Sequence, residues 1–217
     1  MCIRDRLELQ NLTYSPATAS TAVLRDVSFQ AQAGQPVLIS GASGSGKTSL
    51  LDMISGLSKE QSGRVVWKGQ PLSARQRRWI TGMVFQFPER HFLGLTVAQE
   101  LRLGQRRLGT EAQDRVLQRV GLHGINRSSP PERLSGGQQR RLAIAVQLLR
   151  GANVLLLDEP TAGLDWSVRD EVLQLLADLA KDQVLIVVTH EPELFKGWRC
   201  QRHQLQNGEL VPMSTLP

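Results

Sequence analysis

The chain has 217 residues, 41% of them hydrophobic and 21% charged, with a formal net charge of +6. That length suits one domain, with or without a subdomain, and a positive balance this modest marks a solvated surface more often than a nucleic-acid or membrane partner. Cys2 and Cys200 make no disulfide framework, no apolar run approaches the roughly 20 residues needed to cross a bilayer, and no secretory signal is visible, so the composition is that of a reduced, cytosolic protein.

In chain order, Met1-Cys2-Ile3-Arg4-Asp5-Arg6 bears no relation to the alternating Leu7-Glu8-Leu9-Gln10 that follows. It resembles a translated sequencing-adaptor end and is expected to be a non-native leader, the domain proper running from 7 to 217. Leu7–Tyr14 alternates as a strand, Ser15–Ser20 is turn-rich, and Val23–Phe29 reads as a second strand. Gln32–Pro36 forms a turn before Val37-Leu38-Ile39-Ser40, a short apolar strand. Ser62–Gly69 reads as a hairpin arm, and an arginine-rich segment (Arg75, Arg77, Arg78) precedes an apolar strand at Gly82–Phe85. From Thr96 to about Arg127 the apolar spacing becomes helical, and Ser128-Ser129-Pro130-Pro131 breaks it. A helix from Gln139 to Arg150, a continuous apolar strand at Val154–Leu157, a helix from Ser167 to Lys181 and a strand at Val184–Val188 follow. Asn207-Gly208 marks a late hairpin. Apolar strands alternating with helices indicate a mainly parallel sheet covered on both faces, an α/β fold. The segment from about 87 to 150 is expected to be a helical insert.

Gly41-Ala42-Ser43-Gly44-Ser45-Gly46-Lys47-Thr48 has the spacing of a phosphate-binding loop and stands between a strand and a helix, which starts near Ser49 and closes at Gly56. Glycines 41, 44 and 46 let the backbone take positive φ and turn its N–H groups to a phosphate, toward which the helix also directs its N-terminal partial charge. Lys47 would reach the β/γ-phosphates and Thr48 would ligate Mg²⁺, so the expected ligand is a nucleoside triphosphate. Asp158 and Glu159 end an apolar strand, where the first carboxylate can meet the Mg²⁺ and the second can deprotonate a water. Ser135-Gly136-Gly137-Gln138, opening a helix, reads either as a second anion site or as a glycine-rich helix cap. As an anion site it would serve the nucleotide of another copy, in a head-to-tail dimer.

Taken together, these stretches resemble the ATP-binding cassette (ABC) ATPase family over nearly the whole chain. Its motifs stand in order: Walker A at Gly41–Thr48, a Q-loop at Gln86, the signature at Leu134–Gln138, Walker B at Val154–Asp158 with Glu159, a D-loop at Ala162-Gly163-Leu164-Asp165, and the switch histidine His190. The resemblance implies a P-loop core with an N-terminal antiparallel β subdomain and an inserted α-helical subdomain. It implies that Glu159 is the catalytic base, that Lys47 and His190 contact the transferred phosphate, and that Thr48, Gln86 and Asp158 hold Mg²⁺. Tyr14 would stack on adenine, Ser43, Ser45 and Ser49 would complete the phosphate loop, Ser135 and Gly137 would act in trans, and Asp165 would couple the two sites. No catalytic group is missing. Trp166 departs from the proline frequent after the D-loop, and Thr48-Ser49 reverses the commoner Ser-Thr order while keeping the hydroxyl.

A narrower resemblance lies in Val84-Phe85-Gln86-Phe87-Pro88-Glu89-Arg90-His91-Phe92, which is similar to the extended Q-loop of energy-coupling-factor and cobalt-type importers and of related cyanobacterial and chloroplast ATPases. Phe85, Phe87 and Phe92 either line a groove for a helix of a membrane subunit or pack the helical insert on the sheet. Arg75, Arg77, Arg78, Arg106 and Arg107 read as a solvated helix face rather than a lipid contact. The expected function is the ATP-hydrolysing subunit of a membrane transporter, an importer of a vitamin or metal ion. It would sit on the inner face of the plasma membrane and pair with a second ATPase subunit and an integral membrane subunit, with no nucleic acid. A soluble assembly ATPase of the iron–sulfur type is the alternative.

Overall fold

A computed structural model describes residues 5–16, 21–105 and 107–213. In chain order the elements are β1 (Arg6–Tyr14), β2 (Leu24–Gln32), β3 (Val37–Ser40), α1 (Lys47–Ser55), β4 (Ser62–Trp67), β5 (Gln70–Pro71), α2 (Ala74–Ile80), β6 (Thr81–Val84), α3 (Val97–Arg102), α4 (Thr110–Arg119), α5 (Gly136–Leu149), β7 (Val154–Asp158), α6 (Trp166–Leu179), β8 (Val184–Thr189), β9 (Gln201–Gln206) and β10 (Glu209–Pro212). One sheet is antiparallel, in the order β2-β1-β4-β5; the other has the order β10-β9-β3-β8-β7-β6. In the second sheet β9, β3, β8, β7 and β6 pair in parallel and only β10 is antiparallel, turning back at Asn207 and Gly208 with φ of 52° and 82°. The fold is α/β, an antiparallel N-terminal sheet on a mainly parallel core, with α3, α4 and α5 set between β6 and β7.

The alternation of side chains along β7 explains why that strand is apolar throughout. Val154 and Leu156 enter a core shared with α1 and the antiparallel sheet, whereas Leu155 and Leu157 enter a second core with α5 and α6. Helix α1 therefore lies between the two sheets, with Leu50, Leu51, Met53 and Ile54 fully buried. The second core also takes Val97, Leu101, Leu117 and Val120, so α3 and α4 pack on the same layer as α5. Gly56 closes α1 at φ 77°. Among the described residues no helix is long and apolar enough to cross a membrane.

Several sequence expectations change. Helix α5 begins at Gly136, three residues before the expected start, because Ser135 caps it. The 96–127 region is not continuous helix: α3 ends at Arg102, Gly104 follows with φ 75°, and α4 starts at Thr110. Arg77 does not face solvent; it is 1% exposed, and its guanidinium donates to the Met53 carbonyl at 2.7 Å and pairs with Glu60 at 2.6 Å. It ties the end of α1 to α2. Strand β1 begins at Arg6, whose carbonyl accepts from Lys68 N, and Asp5 pairs with Lys68 at 2.6 Å. Met1–Arg4, Ala17–Ser20 and Arg106 lie outside the described residues, and with them most of the expected leader and half of the Arg106-Arg107 pair.

His203, on β9 beside β3, is packed against Phe29 at 5.9 Å between ring centroids, and neither ring nitrogen has a hydrogen-bond partner among the described residues. Burial pushes its pKa below the ordinary histidine value. The unfolded chain therefore takes up a proton near pH 6.5 while the folded chain does not, and stability falls as pH drops through that window, staying flat above it. Thermal unfolding of the parent and His203→Phe between pH 5 and 8 should show the parent losing more stability on the acid side. Parallel curves for the two proteins would remove His203 from the account.

Candidate functional site

The loop joining β3 to α1 carries Gly41–Gly46. Gly44 and Gly46 have φ of 79° and 100°, so only glycine sits there without strain. Gly41 is not in the left-handed region, contrary to the expectation; it is small for want of room, since a Cβ would lie 2.5 Å from Ser45 Oγ and 2.8 Å from the Leu205 carbonyl. Ser45 Oγ is buried without a partner among the described residues, an orphan hydroxyl that a phosphate oxygen would satisfy. Lys47, 8% exposed, donates to the carbonyls of Gly41 (2.7 Å) and Ala42 (3.1 Å), and its ammonium is 3.6 Å from Glu159 Oε1.

Strand β7 delivers Asp158 to the first turn of α1, where Thr48 Oγ1 donates to Asp158 Oδ2 at 2.8 Å. Burial raises the Asp158 pKa, with Glu159 adding to it and Thr48 and Lys47 acting against it. Glu159, just past the strand end, has φ 47°, an uncommon conformation for a residue with a side chain. Its Oε2 accepts the backbone N–H of His190 at 3.1 Å and lies 2.8 Å from His190 Nδ1. His190 follows β8, so adjacent parallel strands bring the carboxylate and the imidazole together. Gln86, two residues beyond β6, enters from the next strand.

Lys47, Thr48, Ser49, Gln86, Asp158, Glu159 and His190 line one cleft of about 470 Å³, with Val23, Ser43, Gly44 and Gly46. A second cleft, reaching Arg25, Ala42, Ser45 and Asn207, shares Val23, Ser43 and Gly44 with it. The donors fit Mg²⁺: a hydroxyl and a carboxylate already within hydrogen-bond distance, plus an amide, are all hard oxygen ligands, and a buried Asp with a raised pKa is relieved by a dication. Thr48, Asp158 and Gln86 would hold it, and the ion would neutralise charge on the phosphate oxygens.

Other expected site residues stand elsewhere. Tyr14 does not line either cleft; it packs against the core under the antiparallel sheet, and its carbonyl accepts from Val23 N at 2.8 Å, so contact with the cleft runs through Val23. Ser135 and Gln138 form a reciprocal capping box at the start of α5, away from the cleft, with Ser135, Gly136 and Gln138 exposed. Asp165 is the exposed N-cap of α6 with no side-chain capping bond, and Trp166 beside it is 77% exposed.

Gly137 has a packing reason that spacing alone does not reveal: a Cβ there would lie 2.2 Å from Val168 Cγ1 on α6. Gly137→Ala should destabilise the protein by about 1–3 kcal/mol through overpacking, read as a lower midpoint of urea unfolding. Adding Val168→Ala should recover most of that loss. A single variant as stable as the parent would contradict the close approach of α5 and α6.

Sequence reasoning assigned nothing to Arg140. It is 3% exposed and donates to the carbonyls of Phe85 (3.1 Å), Gln86 (2.5 Å) and Ala162 (3.1 Å). The only signal was an arginine on the apolar face of a helix, at 140 between Gly137 and Ile144. Glu100 was also missed; it is 4% exposed and accepts the N–H groups of Leu93 and Gly94, fixing the loop after Phe92.

The sequence profile of the ABC transporter family matches residues 24–162. "ABC transporter I family member 11, chloroplastic" of Arabidopsis thaliana is 37% identical over 206 residues, covering 88% of this chain and 74% of its own. "Energy-coupling factor transporter ATP-binding protein EcfA" of Methanocaldococcus jannaschii is 33% identical over 207 residues, covering 90% and 74%. Among solved structures, CbiO1 of Clostridium perfringens, described as part of the ABC transporter complex CbiONQ, superposes with a TM-score of 0.87 at 27% identity over 98% of this chain and 89% of that one. A phosphate loop after β3, a histidine at the end of the neighbouring strand β8 and paired acids at the end of the next, β7, in a fold shared with CbiO1, make the chain a member of the ABC transporter family, as one of its ATP-binding ATPase domains.

Proposed function

We propose that this ATPase is the energy-providing subunit of a membrane importer, and that it works with a second ATPase subunit and Mg²⁺. The observation that carries the reading is the cleft itself, which gathers Lys47, Thr48, Gln86, Asp158, Glu159 and His190 while leaving Ser135–Gln138 outside it. A γ-phosphate in the cleft would meet Lys47, drawn from the Gly41 and Ala42 carbonyls, and His190. Glu159, held through Oε2 by His190, keeps Oε1 for the proton of the attacking water. Transfer leaves ADP and phosphate, with stabilisation mainly electrostatic. The exposed Ser135–Gln138 helix start and Asp165 of one copy would close over the nucleotide of another.

The partner surface in this reading lies beside Gln86. A groove of about 260 Å³ is lined by Phe85, Pro88, His91, Phe92 and Glu100, with Phe85 stacked on His91 at 4.1 Å. Phe92 packs on the core, so the packing role holds for that ring, whereas Phe87, Leu93 and Leu95 are 39%, 79% and 78% exposed. Exposed apolar side chains on the same segment as the groove suit a helix of an integral membrane subunit. The extended Q-loop sequence supports a micronutrient, a vitamin or metal ion, as cargo, with the ATPase on the cytosolic face of the membrane. So do the names of two relatives, "Putative HMP/thiamine import ATP-binding protein YkoD" (35% identical) and "Putative hemin import ATP-binding protein HrtA" (36% identical).

The test is a tagged pull-down from gently solubilised membranes with Glu159→Gln and ATP, which holds the closed dimer and its partners together. Recovery of a polytopic membrane protein is expected, and its identity would narrow the cargo. Recovery of soluble assembly factors alone would replace this reading with that of an assembly ATPase.

A further inference from the structure

Arg140 is a buried cation that no carboxylate pairs with among the described residues. Burial pulls its pKa down to about 10, and Glu89 acts in the opposite direction without contact. An uncompensated buried charge is costly, so its partners matter. They are three backbone carbonyls, all outside regular helix or strand: Phe85 and Gln86, just beyond β6, on one side of the guanidinium, and Ala162, in the turn after β7, on the other. The first segment carries the Gln86 side chain into the cleft. The second joins Glu159 to Asp165, and Glu159 lines the same cleft. Arg140 itself sits on α5, one turn beyond Gly137, whose contact with Val168 locks α5 to α6. A planar fork can span two segments at once, whereas an ammonium group acts as a single point.

We propose that Arg140 is a positioning residue for hydrolysis: its guanidinium clamps the Gln86 segment and the Glu159–Asp165 turn to α5, so that any shift of the Ser135–Gln138 helix start moves both reacting segments with it. This rests on the reading of Gln86 and Glu159 as working groups. Arg140 touches no part of the phosphate loop among its hydrogen bonds, so nucleotide affinity should be indifferent to it, while the rate should not.

The experiment measures ATP affinity and steady-state hydrolysis with Mg²⁺ on the purified chain for Arg140→Met and Arg140→Lys. The expected result is ATP affinity within about twofold of the parent for both. Turnover should fall about 100-fold for Arg140→Met, the loss that a misplacement of about 1 Å brings, and about tenfold for Arg140→Lys, which keeps the charge but reaches one segment. Unchanged turnover with only a lower unfolding midpoint overturns the proposal, as does an affinity that falls in step with turnover. Where Arg140→Met fails to fold, Arg140→Lys decides alone: turnover within twofold of the parent overturns the clamp. Glu159→Gln runs in parallel. Hydrolysis surviving in that variant would overturn the reading of Glu159 and the clamp built on it, whereas a dead Glu159→Gln beside fully active Arg140 variants would remove the clamp alone.

Discussion

Glu159→Gln should lower ATP hydrolysis by about 1,000-fold, the contribution typical of a general base, with ATP affinity unchanged or higher. The amide keeps the shape and can still accept the His190 N–H that now meets Oε2 at 3.1 Å, so the left-handed backbone at φ 47° and the cleft wall should stay in place. What disappears is the ability to take a proton from water. The variant also removes one negative charge from beside the phosphates, in a position 3.6 Å from the Lys47 ammonium. Phosphate release over time and a nucleotide-binding titration separate the two effects. A variant that retains a tenth of the parent rate would show that the base lies elsewhere.

Lys47→Met should weaken ATP binding by about 100-fold, as expected for losing charge-assisted hydrogen bonds to a buried phosphate, and bring hydrolysis below detection. Two consequences follow from the geometry. The carbonyls of Gly41 and Ala42 lose their donor, at 2.7 and 3.1 Å, so the phosphate loop loses its internal brace. Asp158, which burial and Glu159 already push up and Lys47 holds back, rises further, so the variant holds Asp158 protonated to higher pH. Titration with a fluorescent ATP analogue checks the affinity. Binding within threefold of the parent would mean that the ammonium serves the loop and not the phosphate.

Legibility differed from element to element for physical reasons. Strands β7 and β8 were plain because burial on both faces demands unbroken apolar runs, and the hairpin at Asn207-Gly208 because two consecutive left-handed residues demand those types. The break between α3 and α4 was missed, since apolar spacing continues across it while Gly104 turns the chain. The arginine segment was misread at Arg77, because charge in a sequence says solvent until a carbonyl and Glu60 are seen to surround it.

The sequence by itself marked the phosphate loop and the paired acids, because each is a local backbone or strand-end device whose chemistry depends on residue type and spacing, and it marked His190 through the family resemblance. It also determined the α/β class, through period and burial. Only the tertiary structure decided why Gly41 and Gly137 are glycines, since the Leu205 carbonyl and Val168 that crowd them lie far away in the chain. It showed that Tyr14 packs on the core with its carbonyl bonded to Val23 N, that His190 grips Glu159, and that Arg140 joins two segments 76 positions apart, from Gln86 to Ala162. Those contacts arise from sheet order β3-β8-β7-β6, which sets side by side strands that the chain visits far apart, and no local pattern carries that information.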